Sequence, residues 1–94
     1  MHIRVSYAAQ ARVAAGCDRQ VLAIPAGATV FELLQVLAEN GPTDLSGFLF
    51  RQRDQVQPTL LILCNDAPVS RRDLRTRVLQ DQDEITIVPP LAGG

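Results

Sequence analysis

The sequence predicts an α+β roll: a mixed sheet of four or five strands carrying one main helix on one face. Three observations predict it. A capped, leucine-striped helix begins at Thr29. Alternating apolar segments occupy both ends of the chain, at residues 3–9 and 84–88. An uninterrupted apolar run fills residues 60–64. With 94 residues there is enough chain for one modest core and not for two, so residues 1–94 read as a single domain.

In the first segment Ile3, Val5 and Tyr7 fall on one face, and His2, Arg4 and Ser6 on the other. Period two with β-branched and aromatic residues predicts a half-buried strand. Ala14-Ala15-Gly16-Cys17-Asp18 reads as a turn in which Gly16 can take positive φ. Residues 20–24 fit a second strand, so an N-terminal hairpin is expected, with a short helical turn over residues 8–15 as an option inside the connection. Pro25-Ala26-Gly27-Ala28 breaks the pattern. Thr29 and Glu32 then form a T-x-x-E capping box, in which each side chain takes up an amide the first turn leaves free. Val30, Leu33, Leu34 and Leu37 follow on one helical face. Asn40-Gly41-Pro42 ends the helix, with Gly41 suited to a left-handed position.

Residues 43–58 read as a short helix or turn followed by a mobile loop. Phe48 and Phe50 are expected in the core because aromatic rings bury large areas; exposure to a partner is the alternative. The run at 60–64 suits a central strand buried on both faces. Asn65-Asp66-Ala67-Pro68 is a turn. Arg71, Arg72, Arg75 and Arg77, spaced by Asp73, form either a solvated polar face or a dock for an acidic partner surface. Without interleaved aromatics they do not read as a nucleic-acid site. After a turn at Gln80-Asp81-Gln82-Asp83, Ile85 and Ile87 alternate with Thr86 and Val88. If the first and last strands are central neighbours, they run parallel and the helix lies in the crossover between the sheet halves. That is the β-grasp arrangement.

Composition excludes several classes. Hydrophobic content of 47%, charged content of 20% and a net charge of -1 give no drive toward nucleic acid or membrane. No stretch approaches the ~20 apolar residues that span a bilayer. Met1-His2-Ile3-Arg4 does not open a signal peptide, so the cytoplasm is the expected compartment. All nine basic residues are arginine, which excludes a Schiff-base lysine and any modification of this chain on lysine. Cys17 and Cys64 form no C-x-x-C and there is one histidine, so no metal site is expected. Cys64, inside the apolar run, reads as a small buried hydrophobe, and Cys17 as an exposed thiol among turn residues.

The last residues are Pro89-Pro90-Leu91-Ala92-Gly93-Gly94. Two prolines end the preceding strand. Two glycines without Cβ atoms can enter a narrow channel and adopt almost any backbone angle inside it. Residues 89–94 are therefore expected to be a flexible tail that presents its carboxylate to a partner while the body stays outside. A merely frayed end is the alternative.

Beyond the tail, several motifs carry a resemblance. Residues 3–12 (Ile3-Arg4-Val5-Ser6-Tyr7-Ala8-Ala9-Gln10-Ala11-Arg12), the helix start Thr29-Val30-Phe31-Glu32-Leu33-Leu34, Leu63-Cys64-Asn65, Asp81-Gln82-Asp83-Glu84-Ile85 and the Pro-Pro-x-x-Gly-Gly end follow one another over nearly the whole chain. In this order they resemble the ubiquitin-like sulfur carriers of the MoaD/ThiS family, and most of all the small subunit of molybdopterin synthase. Gln82 stands where that family usually has glycine, and residues 43–58 and the arginine segment look longer than in compact members.

The resemblance implies a carrier and not an enzyme. An E1-like adenylating enzyme of MoeB/ThiF type would use ATP to activate the Gly94 carboxylate, and a sulfur donor would convert it to a thiocarboxylate. A synthase subunit of MoaE type would then accept the sulfur for molybdopterin, or thiamine, cysteine or another metabolite would receive it. A protein modifier joined to a target lysine is the reading from a different class. Gly94 would be the reacting residue, with Gly93, Ala92, Leu91 and Pro90 in the entry channel. Tyr7 and the apolar sheet face would dock the partner. No cofactor would be bound by the chain itself.

Overall fold

The computed structural model describes residues 1–90. The first half holds β1 (His2–Tyr7), α1 (Gln10–Ala15), β2 (Arg19–Ala23), α2 (Val30–Asn40) and α3 (Thr43–Leu49). The second holds β3 (Phe50–Gln52), β4 (Gln55–Val56), β5 (Leu61–Cys64), β6 (Ala67–Pro68), a 3-10 turn at Arg71–Asp73, and β7 (Glu84–Val88). Five strands form one sheet in the order β2-β1-β7-β5-β6, and β3 and β4 make a separate hairpin. β1 and β7 lie side by side and parallel, with Val5 opposite Ile85 and Tyr7 opposite Ile87; the other pairings are antiparallel. This is the expected β-grasp topology.

Alternation in β1 and β7 puts Ile3, Val5, Tyr7, Ile85 and Ile87 on the covered face of the sheet. The stripe on α2, Val30, Phe31, Leu33, Leu34 and Leu37, joins them in one core cluster with Ile62, Leu45 and Leu49. Each such side chain, fully buried, contributes about 1.5–3 kcal/mol. The capping box forms as the sequence predicts: the Glu32 N–H donates to Thr29 Oγ1 at 3.2 Å, and the Thr29 N–H donates to Glu32 Oε1 at 2.9 Å. The optional helical turn after β1 is α1. Gly16 closes it at φ 77°, where its N–H donates to the Arg12 carbonyl at 2.8 Å.

Three expectations are corrected. Gly41 is not left-handed: it sits at φ -93°, ψ -175°. Glycine is required there by contact, because a Cβ would stand 2.7 Å from the Leu37 carbonyl oxygen and 2.9 Å from Leu45 Cδ2. Within residues 43–58 the short helix forms as α3, whereas the stretch expected to be a mobile loop holds the β3–β4 hairpin, where Phe50 meets Phe31 edge-on with ring centroids 5.9 Å apart. Finally, β5 is buried on one face and not on both. Ile62 and Cys64 point into the core, while Leu61 is 44% exposed and Leu63 half-buried.

Candidate functional site

The tail leaves the body at the C-terminal end of β7, between β1 and β5. Parallel pairing with β1 continues one step past the strand, where the Ala8 N–H donates to the Ile87 carbonyl at 3.0 Å. Pro89 is buried and Pro90 is exposed. Both line a groove of about 380 Å³ whose other walls include Gln10, Gly47, Phe48 and Leu60. One wall is tied down by Gln57. Its side chain donates to the Gly47 carbonyl at 3.2 Å and its N–H to the Leu49 carbonyl at 2.8 Å. Proline has no N–H, so no ladder bond is lost when the strand ends here. Of the tail residues singled out in the sequence, Pro90 lies at this rim; Leu91, Ala92, Gly93 and Gly94 lie outside the described residues.

At the other end of β7 a polar clip fixes the strand's start. The Asn65 side chain donates to Asp83 Oδ1 at 2.9 Å and accepts the Glu84 N–H at 3.0 Å. The second Asp83 oxygen accepts the Gln80 N–H at 2.8 Å. Asn65 and Asp66 have φ of 51° and 70°, the pair of left-handed residues a two-residue hairpin turn needs between β5 and β6. Gln82 sits at φ 72°, so this turn keeps a glycine-type backbone although the residue is not glycine. Asp81 Oδ1 accepts the His2 N–H at 2.7 Å, and that bond holds the Asp81 carboxyl below the usual carboxylate range.

The sheet face turned away from α2 is uncovered. Register places Val21 beside Arg4, Arg4 beside Glu84, Ser6 beside Thr86, Thr86 beside Leu63, and Leu61 beside Val88. Its apolar end, Leu61 with Val88, adjoins the tail exit; its polar end carries Arg4 and Glu84. The Ser6 hydroxyl donates to Glu84 Oε2 at 3.3 Å. Val21 is 62% exposed.

Tyr7 does not belong to this surface. It points the other way, is 4% exposed, and its hydroxyl has no hydrogen-bond partner among the described residues. Burial, with Cys17 nearby, pushes its pKa up to about 12. The docking expectation therefore passes from Tyr7 to Leu61, Leu63, Val88 and Val21. Leu61 and Leu63 are hidden in the sequence because residues 60–64 are all apolar and show no alternation; only pairing with β7 separates their faces.

Cys64 is buried, as expected. Burial and the adjacent Asp83 carboxylate push its thiol up, which disfavours the thiolate. Cys17 is half-buried, its Sγ donating to Gln20 Oε1 at 3.6 Å. Among the described residues no group of three or more His, Cys, Asp or Glu side chains could hold a metal ion, and no helix is long and apolar enough to cross a membrane.

Known proteins agree with this geometry. The crystal structure of SAMP1 from Haloferax volcanii matches with a TM-score of 0.88 over 100% of both chains at 20% identity, a likeness of fold alone. The solution structure of small archaeal modifier protein 1 from Methanosarcina acetivorans matches with a TM-score of 0.82 at 28% identity, covering 99% of this chain and 96% of that one. Topology and likeness together define a ubiquitin-like β-grasp protein.

The family model described as the ThiS family matches residues 5–94. The molybdopterin synthase sulfur carrier subunit of Chlamydomonas reinhardtii is 32% identical over 94 residues, covering 100% of both chains. The chain belongs to the ThiS family, within the ubiquitin-like sulfur carriers and modifiers.

Proposed function

We propose that this chain is a sulfur carrier whose Gly94 carboxylate is activated by an adenylating enzyme, converted to a thiocarboxylate, and used as the sulfur source in molybdopterin biosynthesis. The observation that carries the reading is the full-length match to a molybdopterin synthase sulfur carrier subunit. A carboxylate is a poor electrophile. Attack of its oxygen on the α-phosphorus of ATP releases pyrophosphate and gives an acyl-adenylate. A sulfide-level sulfur nucleophile then displaces AMP and leaves the thiocarboxylate.

The body contributes placement. Buried Pro89 fixes where the tail starts, and the Leu61–Val88 end of the open sheet offers the activating enzyme and the synthase an apolar surface beside that start. Leu91 and Ala92 would line the entry channel, and Gly93 would keep the thread thin beside the reacting Gly94. The ATP belongs to the partner's site. Such a carrier works in the cytoplasm, where nucleotide and sulfur donors are available.

The test is intact-mass spectrometry after incubation with an E1-like adenylating enzyme of MoeB/ThiF type, ATP and sulfide. The expected result is a gain equal to one oxygen-for-sulfur exchange, lost on deletion of Gly94 while the fold persists. No mass change in the full chain would overturn the reading.

A second reading, attachment of Gly94 to a target lysine, is favoured by the likeness to solved modifier proteins at up to 28% identity. It predicts target-linked species that survive thiol reductant. Thiocarboxylate formation without such species supports the carrier reading.

A further inference from the structure

The arginines of this chain are unevenly placed. Six of the nine lie in the β3–β4 hairpin and in residues 71–77: Arg51, Arg53, Arg71, Arg72, Arg75 and Arg77. Those two segments carry only Asp54 and Asp73 against them, while the rest of the chain has three arginines and eight carboxylates. All six are exposed. Among the described residues the ion pair within 4 Å is Arg12 with Asp18, at 3.9 Å, so none of the six is neutralised by a neighbouring carboxylate.

Three of them are also held in place. Arg75 lies 3.8 Å above the Phe31 ring and donates to the Asp54 carbonyl at 3.0 Å. Arg71 donates to the Val56 carbonyl at 3.4 Å, and Arg77 to Cys64 Sγ at 3.7 Å. Each guanidinium has five N–H donors, so one anchoring bond leaves the others free. Arg71 and Arg75 flank a cleft of about 220 Å³ floored by Phe31, Val56 and Leu74. Two fixed guanidinium groups on a shallow cleft suit planar carboxylates, which they can bind in paired fashion.

We propose that the arginine face formed by β3–β4 and residues 71–77 docks an acidic segment of a protein partner. A nucleic acid fits less well. Tyr7 and Phe31 are buried, Arg75 already covers the Phe31 ring, and Phe48 and Phe50 pack on the core, so no ring is left as a platform for bases. The acidic remainder of the chain repels a long polyanion, whereas a short acidic segment touches only the basic face.

The face lies on the helical side of the molecule, away from the open sheet. Arg77 touches Cys64, which pairs with Ile85 near the start of β7, while the tail leaves past Val88 at the other end. Those ends are separated by a strand about 13 Å long. A partner on the arginine face therefore leaves both the open sheet and the tail exit free.

The test is fluorescence anisotropy with a labelled polyglutamate peptide and the full chain at low salt. It needs no activating enzyme or ATP, so its outcome is independent of the tail chemistry. Saturable binding is expected. Arg53→Gln and Arg72→Gln, whose side chains make no hydrogen bond among the described residues, should each weaken it by about two- to five-fold. Arg19→Gln, with the same charge change on the opposite sheet face, should leave it unaltered. Absence of saturable binding, equal weakening by Arg19→Gln, or tighter binding of a single-stranded RNA oligonucleotide through the same arginines would each overturn the proposal.

Discussion

Gly41→Ala tests the joint between α2 and α3 most directly. At φ -93° alanine meets no dihedral strain, so the whole effect comes from contact. The new Cβ would stand 2.7 Å from a backbone carbonyl oxygen and 2.9 Å from a buried leucine methyl. Leu37 O cannot swing aside without breaking its bond from the Gly41 N–H, at 3.0 Å. Forced overpacking of this kind typically costs about 1–3 kcal/mol. Alanine returns about 0.4–1 kcal/mol by restricting the unfolded chain. The net loss is centred on about 1.3 kcal/mol, between limits of about 0 and 2.6, and the central value corresponds to a fall in Tm of roughly 5–10 °C for a domain of this size. Gly47, six positions on and inside α3, has nothing within 4 Å of an added Cβ. Gly47→Ala should therefore stabilise by about 0.5–1 kcal/mol. Thermal unfolding by circular dichroism reads both. Gly41→Asn separates contact from conformation: a left-handed position would tolerate asparagine, whereas the crowding described here makes it at least as harmful as alanine. A Gly41→Asn protein as stable as the parent would refute the reasoning.

Other perturbations probe the turns and the core. Gln82→Gly should be neutral to stabilising by about 1 kcal/mol, since it removes a left-handed strain of about 1–2 kcal/mol at the expense of chain entropy; chemical denaturation measures it. Asn65→Ala should lose about 1–3 kcal/mol through its two hydrogen bonds and its positive φ, and Asn65→Gly should recover part of that. Tyr7→Phe should leave stability unchanged or raise it by up to about 1 kcal/mol, because the hydroxyl it removes is buried without a partner. The Asp81 carboxyl is depressed in the folded state, so its contribution is present above the ordinary value of 3.8 and fades as pH falls through the folded value. Asp81→Asn should lower stability in the neutral region and leave it little changed below the folded value, so that the acid limb flattens, as measured by unfolding in buffers of stepped pH.

Where the sequence carries a local rule, the fold is legible in it. The Thr29–Glu32 box, the leucine stripe and the period-two ends place α2, β1 and β7 from sequence alone, because their signals lie within a few residues of each other. The failures are non-local. Residues 60–64 read as buried on both faces since every side chain is apolar; only the register with β7 shows that Leu61 and Leu63 face outward. Gly41 reads as left-handed because glycine after a helix usually is, whereas here Leu45 from the next helix crowds it. Tyr7 enters as a docking residue only through the family resemblance, although the alternation of β1 already places it with Ile3 and Val5 on the face that α2 covers. The arginine segment reads as a charge cluster, but its attachment to β3–β4 depends on a hairpin for which residues 50–56 give no turn signal.

The burial of Pro89 turns the tail into a ruler. Five residues follow it to Gly94, and an extended chain advances at most about 3.3–3.6 Å per residue. The terminal atom can therefore travel no farther than about 18 Å from its anchorage. If Gly94 reacts as proposed above, an enzyme acting on it would have to keep its reacting centre within that radius of its own mouth and come up flush against the body. Successive enzymes would then have to take turns at a single doorway, and handing over, more than chemistry, would set their order.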